Sequence, residues 1–297
     1  MVGRNLLAHP AIARWDVAAP RRHELDLTDR EATFAFLNRF KPDMIIHCAG
    51  KVGGIQANIA EPVTFLLDNV EIGRNVIEGA RRASVRCFLN LSSSCIYPRN
   101  GVNPLREGSL LTGELEPTNE GYALAKIFAL RLCEYIRRET PEFLYKTAIP
   151  CNLYGRHDSF SINRSHLVAA VFDKVHRAKI GGLAEVVIWG DGSARREFML
   201  AADLADFVMR AVENFETLPD VMNVGVGIDH SINEYYAQVA SVVGWKGRFV
   251  HDPTKPVGMK QKLLDVSRQT AWGWKPPTPL IEGLESTYKY YVEEFGP

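Results

Sequence analysis

The chain has 297 residues, 46% of them hydrophobic and 24% charged. That is enough apolar material for one or two globular domains and excludes a disordered chain. Lys+Arg and Asp+Glu stand at 35 each, so no net field gathers nucleic acid or an anionic membrane, and an anionic ligand must be held by local basic groups.

No apolar run reaches the ~18 residues that span a bilayer. The N-terminus reads without the apolar core and cleavage site of a signal peptide. The cysteines are Cys48, Cys87, Cys95, Cys133 and Cys151. An odd count without a CxxC pair argues against a disulfide framework or a zinc ribbon, and predicts the reducing cytosol and no metal site. Cys48, Cys87 and Cys151 sit in apolar, strand-like surroundings and read as core residues. Asn90-Leu91-Ser92 and Asn163-Arg164-Ser165 match the glycosylation acceptor; in a cytosolic chain these are chance matches.

In chain order, residues 14–18 are expected to form a strand ending before Arg21-Arg22. Residues 44–50 (MIIHCAG) read as a buried strand, 65–83 as a helix, 87–93 (CFLNLSS) as a second buried strand, 120–138 as a helix and 145–155 (YKTAIPCNLYG) as a strand. Strands alternating with helices predict an α/β, Rossmann-like doubly wound parallel sheet, with ligands at the carboxyl ends of its strands. Later, 165–182 reads as a helix with a glycine stop, and VVIWGDGSARREF as two short strands about a turn. Helices follow at 204–215, 232–244 and 279–295, with strands near VMNVGVG and GRFVHDP between them. The expected division is a first domain over 1–155 and a smaller mixed α/β lobe over 156–297, with some chain crossing back.

Two groups point to chemistry. Tyr122 and Lys126 are four residues apart, so they share one face of a helix. An ammonium near a phenol favours the phenolate and lowers the tyrosine pKa, which suits proton transfer near neutral pH. Alone, this spacing also fits a surface Tyr/Lys pair. Upstream, a strand ends in Leu91-Ser92-Ser93-Ser94-Cys95-Ile96-Tyr97-Pro98. A serine at a strand end followed by such a helix resembles the hydroxyl–phenol–ammonium trio of short-chain dehydrogenases. By that resemblance, Ser93 hydrogen-bonds a substrate carbonyl, Tyr122 protonates the developing alkoxide, and Lys126 holds the nicotinamide ribose.

The resemblance extends further. AGKVGGIQAN (49–58), SSSCIYP (92–98), LEPTNEGYALAK (115–126), NLYGRHDSF (152–160), WGDGSARREF (189–198), NVGVG (223–227) and KLLDV (262–266) recur in the order and spacing of the GDP-L-fucose synthase family of extended short-chain dehydrogenase/reductases. These are bifunctional 3,5-epimerase/4-reductases acting on GDP-4-keto-6-deoxy-D-mannose. The resemblance implies that Cys95 is the epimerisation base and His166 its acid. Free cysteines are more often small buried hydrophobes, and a histidine at a helix start is often only hydrogen-bonded there. The chemistry accounts for the pair, since hydrogens α to a ketone are acidic and inversion needs a base on one face and an acid on the other.

The resemblance also places Ser94, Asn152, Lys174, Trp189, Arg196 and Lys262 at the nucleotide-sugar. A guanidinium such as Arg196 suits a pyrophosphate. Lys174 stands where an arginine is expected, and the segment 255–261 departs from the family string. For each lysine a solvated surface charge is the alternative.

Cofactor contacts are expected from Gly3, Arg22, Ala49, Lys51, Leu91, Tyr122, Lys126 and His166. A basic Arg22 beside the adenosine would neutralise a 2′-phosphate and favour NADP over NAD; a charged turn is the alternative. The family's first strand and the first two glycines of its phosphate loop have no counterpart before Gly3. The expected consequences are open strand edges around a missing central strand, and either a longer reading frame or a shortened, non-catalytic chain. Pro10 would interrupt a helix interior. The resemblance implies a cytoplasmic homodimer pairing through helices. Another nucleotide-sugar epimerase or dehydratase of this fold, and a non-catalytic nucleotide-sugar-binding chain, remain the rivals.

Overall fold

The computed structural model describes residues 1–161, 165–255 and 257–296, so Asn163 and Arg164 of one acceptor match lie outside the described residues. The chain opens with α1 (Val2–Ala8), a 3-10 turn (Pro10–Arg14) and α2 (Arg30–Phe40). Then come β1 (Met44–His47), α3 (Ile55–Ala60), α4 (Pro62–Arg82), β2 (Cys87–Leu91), α5 (Glu120–Glu139), β3 (Leu144–Pro150) and β4 (Asn152–Tyr154). The second half adds α6 (Leu167–Ile180), β5 (Glu185–Trp189), β6 (Arg195–Arg196), β7 (Phe198–Leu200), α7 (Ala201–Glu213), β8 (Val221–Val224), β9 (His230–Ser231), α8 (Ile232–Val243), β10 (Arg248–Asp252), β11 (Gln261–Lys262), α9 (Ser267–Ala271) and α10 (Leu280–Phe295).

Local chemistry sets several boundaries. Asp29 caps α2 by accepting from Ala32 N, and Pro62 opens α4 where no amide is needed. Ser231 and Glu234 form a reciprocal capping box on α8, which Gly244 ends in the left-handed region.

Four strands form one parallel sheet in the order β1-β2-β3-β8. Alternate residues serve its two faces. Phe88 and Tyr145 pack with Val76 and Ile77 of α4 and Cys133 and Ile136 of α5. On the other face Leu89, Leu91 and Ala148 join Leu204, Phe207 and Val208 of α7 and Leu6 of α1. Helices therefore cover both faces, as expected of a doubly wound fold. β8 arrives from the second half, so the chain returns to the first sheet after building part of the second core. That core joins Val168 and Phe172 of α6, Tyr235 and Val239 of α8, and Leu284 and Tyr291 of α10. Around it lie short pairings: β4 with β7, β5 with β10, and β11-β6-β9.

Several expectations change. No strand forms over 14–18. The 3-10 turn ends at Arg14, and residues 16–20 run exposed and unpaired. A strand exists only through its partner, and no described strand lines the outer edge of β1. Pro10 interrupts nothing, because α1 has ended at Ala8 and the proline opens the 3-10 turn. The stretch 145–155 is two strands rather than one, with β3 in the main sheet and β4 paired to β7. VVIWGDGSARREF forms the two expected short strands about a turn, β5 and β6, and Gly190 (φ 68°) and Gly192 (φ 72°) carry the chain between them from one small sheet to another. Among the cysteines read as core, Cys151 is buried, whereas Cys48 and Cys87 are partly accessible. Asn90 is fully buried in β2, so its acceptor match is inert.

His47, at the end of β1, is 5% exposed. Burial pushes its imidazole down to about 3, and the Lys126 charge acts in the same direction. The unfolded chain therefore takes a proton below its ordinary value near 6.5 while the folded chain does not, so stability falls as pH drops from about 6.5 toward 3. The slope is up to ~1.4 kcal/mol per pH unit. We expect urea unfolding of wild type to lose roughly 2 kcal/mol more than His47→Gln between pH 7 and pH 5; equal losses would contradict this.

Candidate active site

β2 ends at Leu91, and the chain leaves its carboxyl end through Ser92 and Ser93 into a 3-10 turn (Ser94–Ile96). The Ser93 side chain caps this turn, its Oγ accepting from Cys95 N at 3.5 Å. Ser94, Cys95 and Ile96 are all buried. The turn is fixed from behind, because Tyr97 Oη donates to Asn223 Oδ1 at 2.6 Å. Asn223 Nδ2 in turn donates to the carbonyls of Leu105 (2.9 Å) and Asp265 (3.0 Å). The Cys95 segment is thereby tied to β8 and to the stretch after β11.

α5 brings Tyr122 and Lys126 to the same place. Lys126 Nζ lies 5.7 Å from the Tyr122 ring centroid and donates to the Leu91 carbonyl at 3.2 Å. Burial lowers the ammonium's pKa, opposed by Cys95 and Cys48. The Tyr122 phenol does not shift down as expected. Burial pushes it well up and the Cys95 sulfur adds to this, while the facing Ser93 hydroxyl opposes it. The ammonium is directed at the ring and a carbonyl, so it does not offset the cost of a buried phenolate. Tyr122 is therefore a neutral phenol, able to give a proton but not to take one. Burial also raises the Cys95 thiol, with Lys262, Ser93 and Lys126 pulling it back.

Lys262 links this group to a second one. β11 pairs with β6 in parallel, setting Lys262 beside Arg196. Arg196 is anchored by carbonyls, donating to Arg195 O (2.8 Å) and Val257 O (2.9 Å). Neither cation forms an ion pair among the described residues. Burial lowers both. Glu116 opposes this at Arg196, and Cys95 and Glu197 oppose it at Lys262, without an ion pair to either cation among the described residues. His166 stands at the N-cap of α6, its imidazole lowered by burial; Asp158 opposes this and Lys262 reinforces it. Cys95, Tyr122, Lys126, Lys262, Arg196 and His166 thus form one electrostatic neighbourhood.

The remaining expected residues are more dispersed. Asn152 Nδ2 donates to Glu197 O at 2.8 Å. Lys174 is turned into the second core, donating to Val187 O and Tyr236 Oη at 3.3 Å each, with Nζ 5.3 Å from the Trp189 ring centroid. Lys51 pairs with Glu61 at 2.6 Å, and half-buried Ala49 lies two residues before it. Leu91 takes part through its carbonyl. Gly3 packs the first turn of α1 near the end of β1, where an added Cβ would lie 3.5 Å from Cys48 Sγ. Arg22 sits on an exposed turn, 3.6 Å from Asp26, with no contact linking it to the Cys95 group among the described residues.

Two residues escaped the sequence reading. Asn69 holds the turn after β1, accepting from Lys51 N (2.9 Å) and donating to Lys51 O (3.0 Å). A Cβ at Gly50 would stand 2.7 Å from Asn69 Oδ1 and 3.7 Å from Lys126 Nζ, so glycine lets this turn approach. The other is Glu197, 1% exposed between Arg196 and Phe198. Burial pushes its carboxyl up to about 7 against three amide donors.

Comparison with known proteins places this site. The NAD dependent epimerase/dehydratase family matches residues 1–225. The chain belongs to the NAD dependent epimerase/dehydratase family. It is 50% identical over 292 residues to a GDP-L-fucose synthase of Azorhizobium caulinodans, covering 98% of this chain and 93% of that one. It is 49% identical over 294 residues to a GDP-L-colitose synthase of Yersinia pseudotuberculosis, covering 99% and 96%. Among solved structures, a GDP-mannoheptose C4 reductase from Campylobacter jejuni with NADP bound superposes with a TM-score of 0.88 at 29% identity, covering 98% of this chain and 95% of that one. This epimerase/dehydratase family member carries its buried cysteine, phenol and two lysines at the carboxyl edge of the shared sheet, where ligands of open α/β folds bind.

Proposed function

We propose that the chain makes GDP-L-fucose from GDP-4-keto-6-deoxy-D-mannose, by 3,5-epimerisation and NADPH-dependent 4-reduction. One observation carries this reading: a thiol and a neutral phenol share one poorly solvated group with two lysine ammoniums, beside an unpaired arginine. Relatives named for GDP-sugar synthesis at about half identity over nearly the whole chain support the nucleotide and the sugar class.

The residues divide the work. Arg196 and Lys262 take the diphosphate, with Asn152, Ser94, Lys174 and Trp189 completing the nucleotide-sugar site. The 4-keto group acidifies the hydrogens at C3 and C5. Cys95, whose thiol is held up by burial and pulled back by Lys262 and Lys126, removes each proton as the thiolate, and His166 delivers a proton to each carbon from the other face. The Ser93 hydroxyl donates to the 4-keto oxygen. Tyr122 then delivers its phenolic proton to that oxygen as it becomes a hydroxyl. Lys126 has three donors and spends one on Leu91 O, so two remain for the hydroxyls of a nicotinamide ribose; the residues present fit the cofactor there. NADPH, when bound, supplies the hydride that C4 receives. Gly3, Arg22, Ala49, Lys51 and Leu91 complete its site in this reading, which takes 1–155 as the cofactor domain and 156–297 as the substrate lobe. The free cysteines fit a cytoplasmic setting.

A second reading, GDP-L-colitose synthesis, is favoured by the 49% identical relative. Colitose lacks the 3-hydroxyl of fucose, so only C5 would be inverted. A homodimer is also proposed. α4 and α5 expose Val63, Leu67, Leu124, Phe128 and Tyr135, an apolar stripe that a second copy of the same helices would cover.

In D2O with NADPH and GDP-4-keto-6-deoxy-D-mannose, we expect NADPH oxidation with deuterium appearing at C3 and C5. Cys95→Ser should slow that exchange about 10²-fold or more; wild-type exchange in this variant would refute the base assignment. Failure of wild type to bind NADPH saturably would favour a non-catalytic chain. Turnover of only the 3-deoxy 4-keto sugar would favour the colitose reading. Sedimentation should give a dimer that Phe128→Glu converts to monomer; a monomeric wild type would exclude the proposed pairing.

A further inference from the structure

Glu197 is a buried carboxylate to which the proposed chemistry gives no task, yet it is the best-connected acid in the second lobe. Its Oε1 accepts from Val226 N at 2.6 Å and Gly227 N at 2.8 Å, and its Oε2 accepts from Leu264 N at 2.9 Å. Its own carbonyl accepts from Asn152 Nδ2. Three segments meet on this one side chain: the β6–β7 stretch that carries it, the loop after β8, and the exit from β11. An acceptor that uses both oxygens in this way is satisfied by a carboxylate, whereas an amide of the same shape turns one end into a donor.

The connection matters because of what hangs on those segments. β11 pairs with β6 through only Gln261↔Arg195 and Lys262↔Arg196. A two-residue ladder holds little by itself. The exit from β11 is bridged to Leu105, which donates to Leu263 O at 2.7 Å and accepts from Asp265 N at 2.9 Å; the bond from Leu264 N to Glu197, two residues beyond Lys262, is what ties that exit to the β6–β7 stretch carrying Arg196. Arg196 is the residue before Glu197, and Asn152 is held by its carbonyl. Arg196 and Lys262 repel each other and have no ion pair among the described residues; Glu197 is the acid that acts on Lys262.

We infer that Glu197 is a positioning residue that aligns Arg196, Lys262 and Asn152 to receive the diphosphate of the nucleotide-sugar. The inference rests on the reading above that Arg196 and Lys262 hold that diphosphate. Removing the carboxylate unties the β11 exit from the β6–β7 stretch and leaves the amides of 226, 227 and 264 competing for fewer acceptors. The two cations then lose their fixed spacing, and affinity for a diphosphate falls; Lys262 also acts on the Cys95 thiol, so GDP affinity, which needs no proton transfer, is the direct readout.

The test is titration of Glu197→Gln with GDP and, separately, with NADPH by calorimetry at pH 8, where the wild-type carboxyl is ionised. Steady-state kinetics on the 4-keto nucleotide-sugar accompany it. The expected result is a GDP Kd raised on the order of tenfold or more, with NADPH affinity within about twofold and a higher KM. A purely structural role would lower kcat through the active fraction and leave Kd and KM alone; that result would overturn the inference. Should Glu197→Gln fail to fold, Gly225→Ala crowds the same oxygen, since its Cβ would lie 2.3 Å from Oε1. It should likewise weaken GDP binding, and unchanged GDP affinity in that variant would also overturn the inference. Absence of GDP binding by wild type would count against the nucleotide-sugar reading itself and take the inference with it.

Discussion

Charge held in a poorly solvated cleft is the constraint on which the site depends. Burial disfavours the charged form of every group at the carboxyl edge of the sheet: it raises Cys95 and Tyr122 and lowers Lys126, Lys262, Arg196 and His166. Mutual attraction opposes this, because the thiol stabilises the two lysines and they stabilise its thiolate. Tyr122 lacks such a partner at its oxygen and stays a neutral acid. One environment thus raises both side chains but leaves only the thiol with cations that oppose the rise.

That cleft exists because of the fold. β2 ends at Leu91 and releases the chain as a short turn, which Tyr97 and Asn223 pin to β8. α5 packs beside it and adds Tyr122 and Lys126 from one helical face. β11 adds Lys262 from the far end of the sequence. The scaffold is shared by many enzymes of this architecture, and the chemistry resides in what these few turns present.

Much of this was legible in the sequence. The strands within 44–50 and 87–93 and the helices of α4, α5, α6, α7, α8 and α10 follow from apolar periodicity, which local physics decides; β1 was read as buried but is half-buried over Met44–Ile46, since no described strand covers its outer edge. The region 14–18 was not legible, because a strand is defined by a neighbour and none is present for it. The split of 145–155 at Cys151 was equally hidden, since it depends on where β7 lies. In the site, the spacing of Tyr122 and Lys126 was readable, but the direction of the phenol's shift was not: it depends on burial and on the ammonium facing a carbonyl and a ring. Glu197 was passed over because its partners are backbone amides from segments about 30 and 70 residues away. Lys174 was assigned to substrate by resemblance, while its hydrogen bonds to Val187 and Tyr236 depend on packing that a motif does not encode.

The central claim is that thiol and phenol act on one sugar in separable steps. The most direct measurement is Tyr122→Phe incubated in D2O with NADPH and the 4-keto nucleotide-sugar, following deuterium at C3 and C5 alongside NADPH oxidation. The account predicts near wild-type exchange with oxidation slowed about 10²-fold or more. Exchange lost together with oxidation, or oxidation left intact, would contradict it.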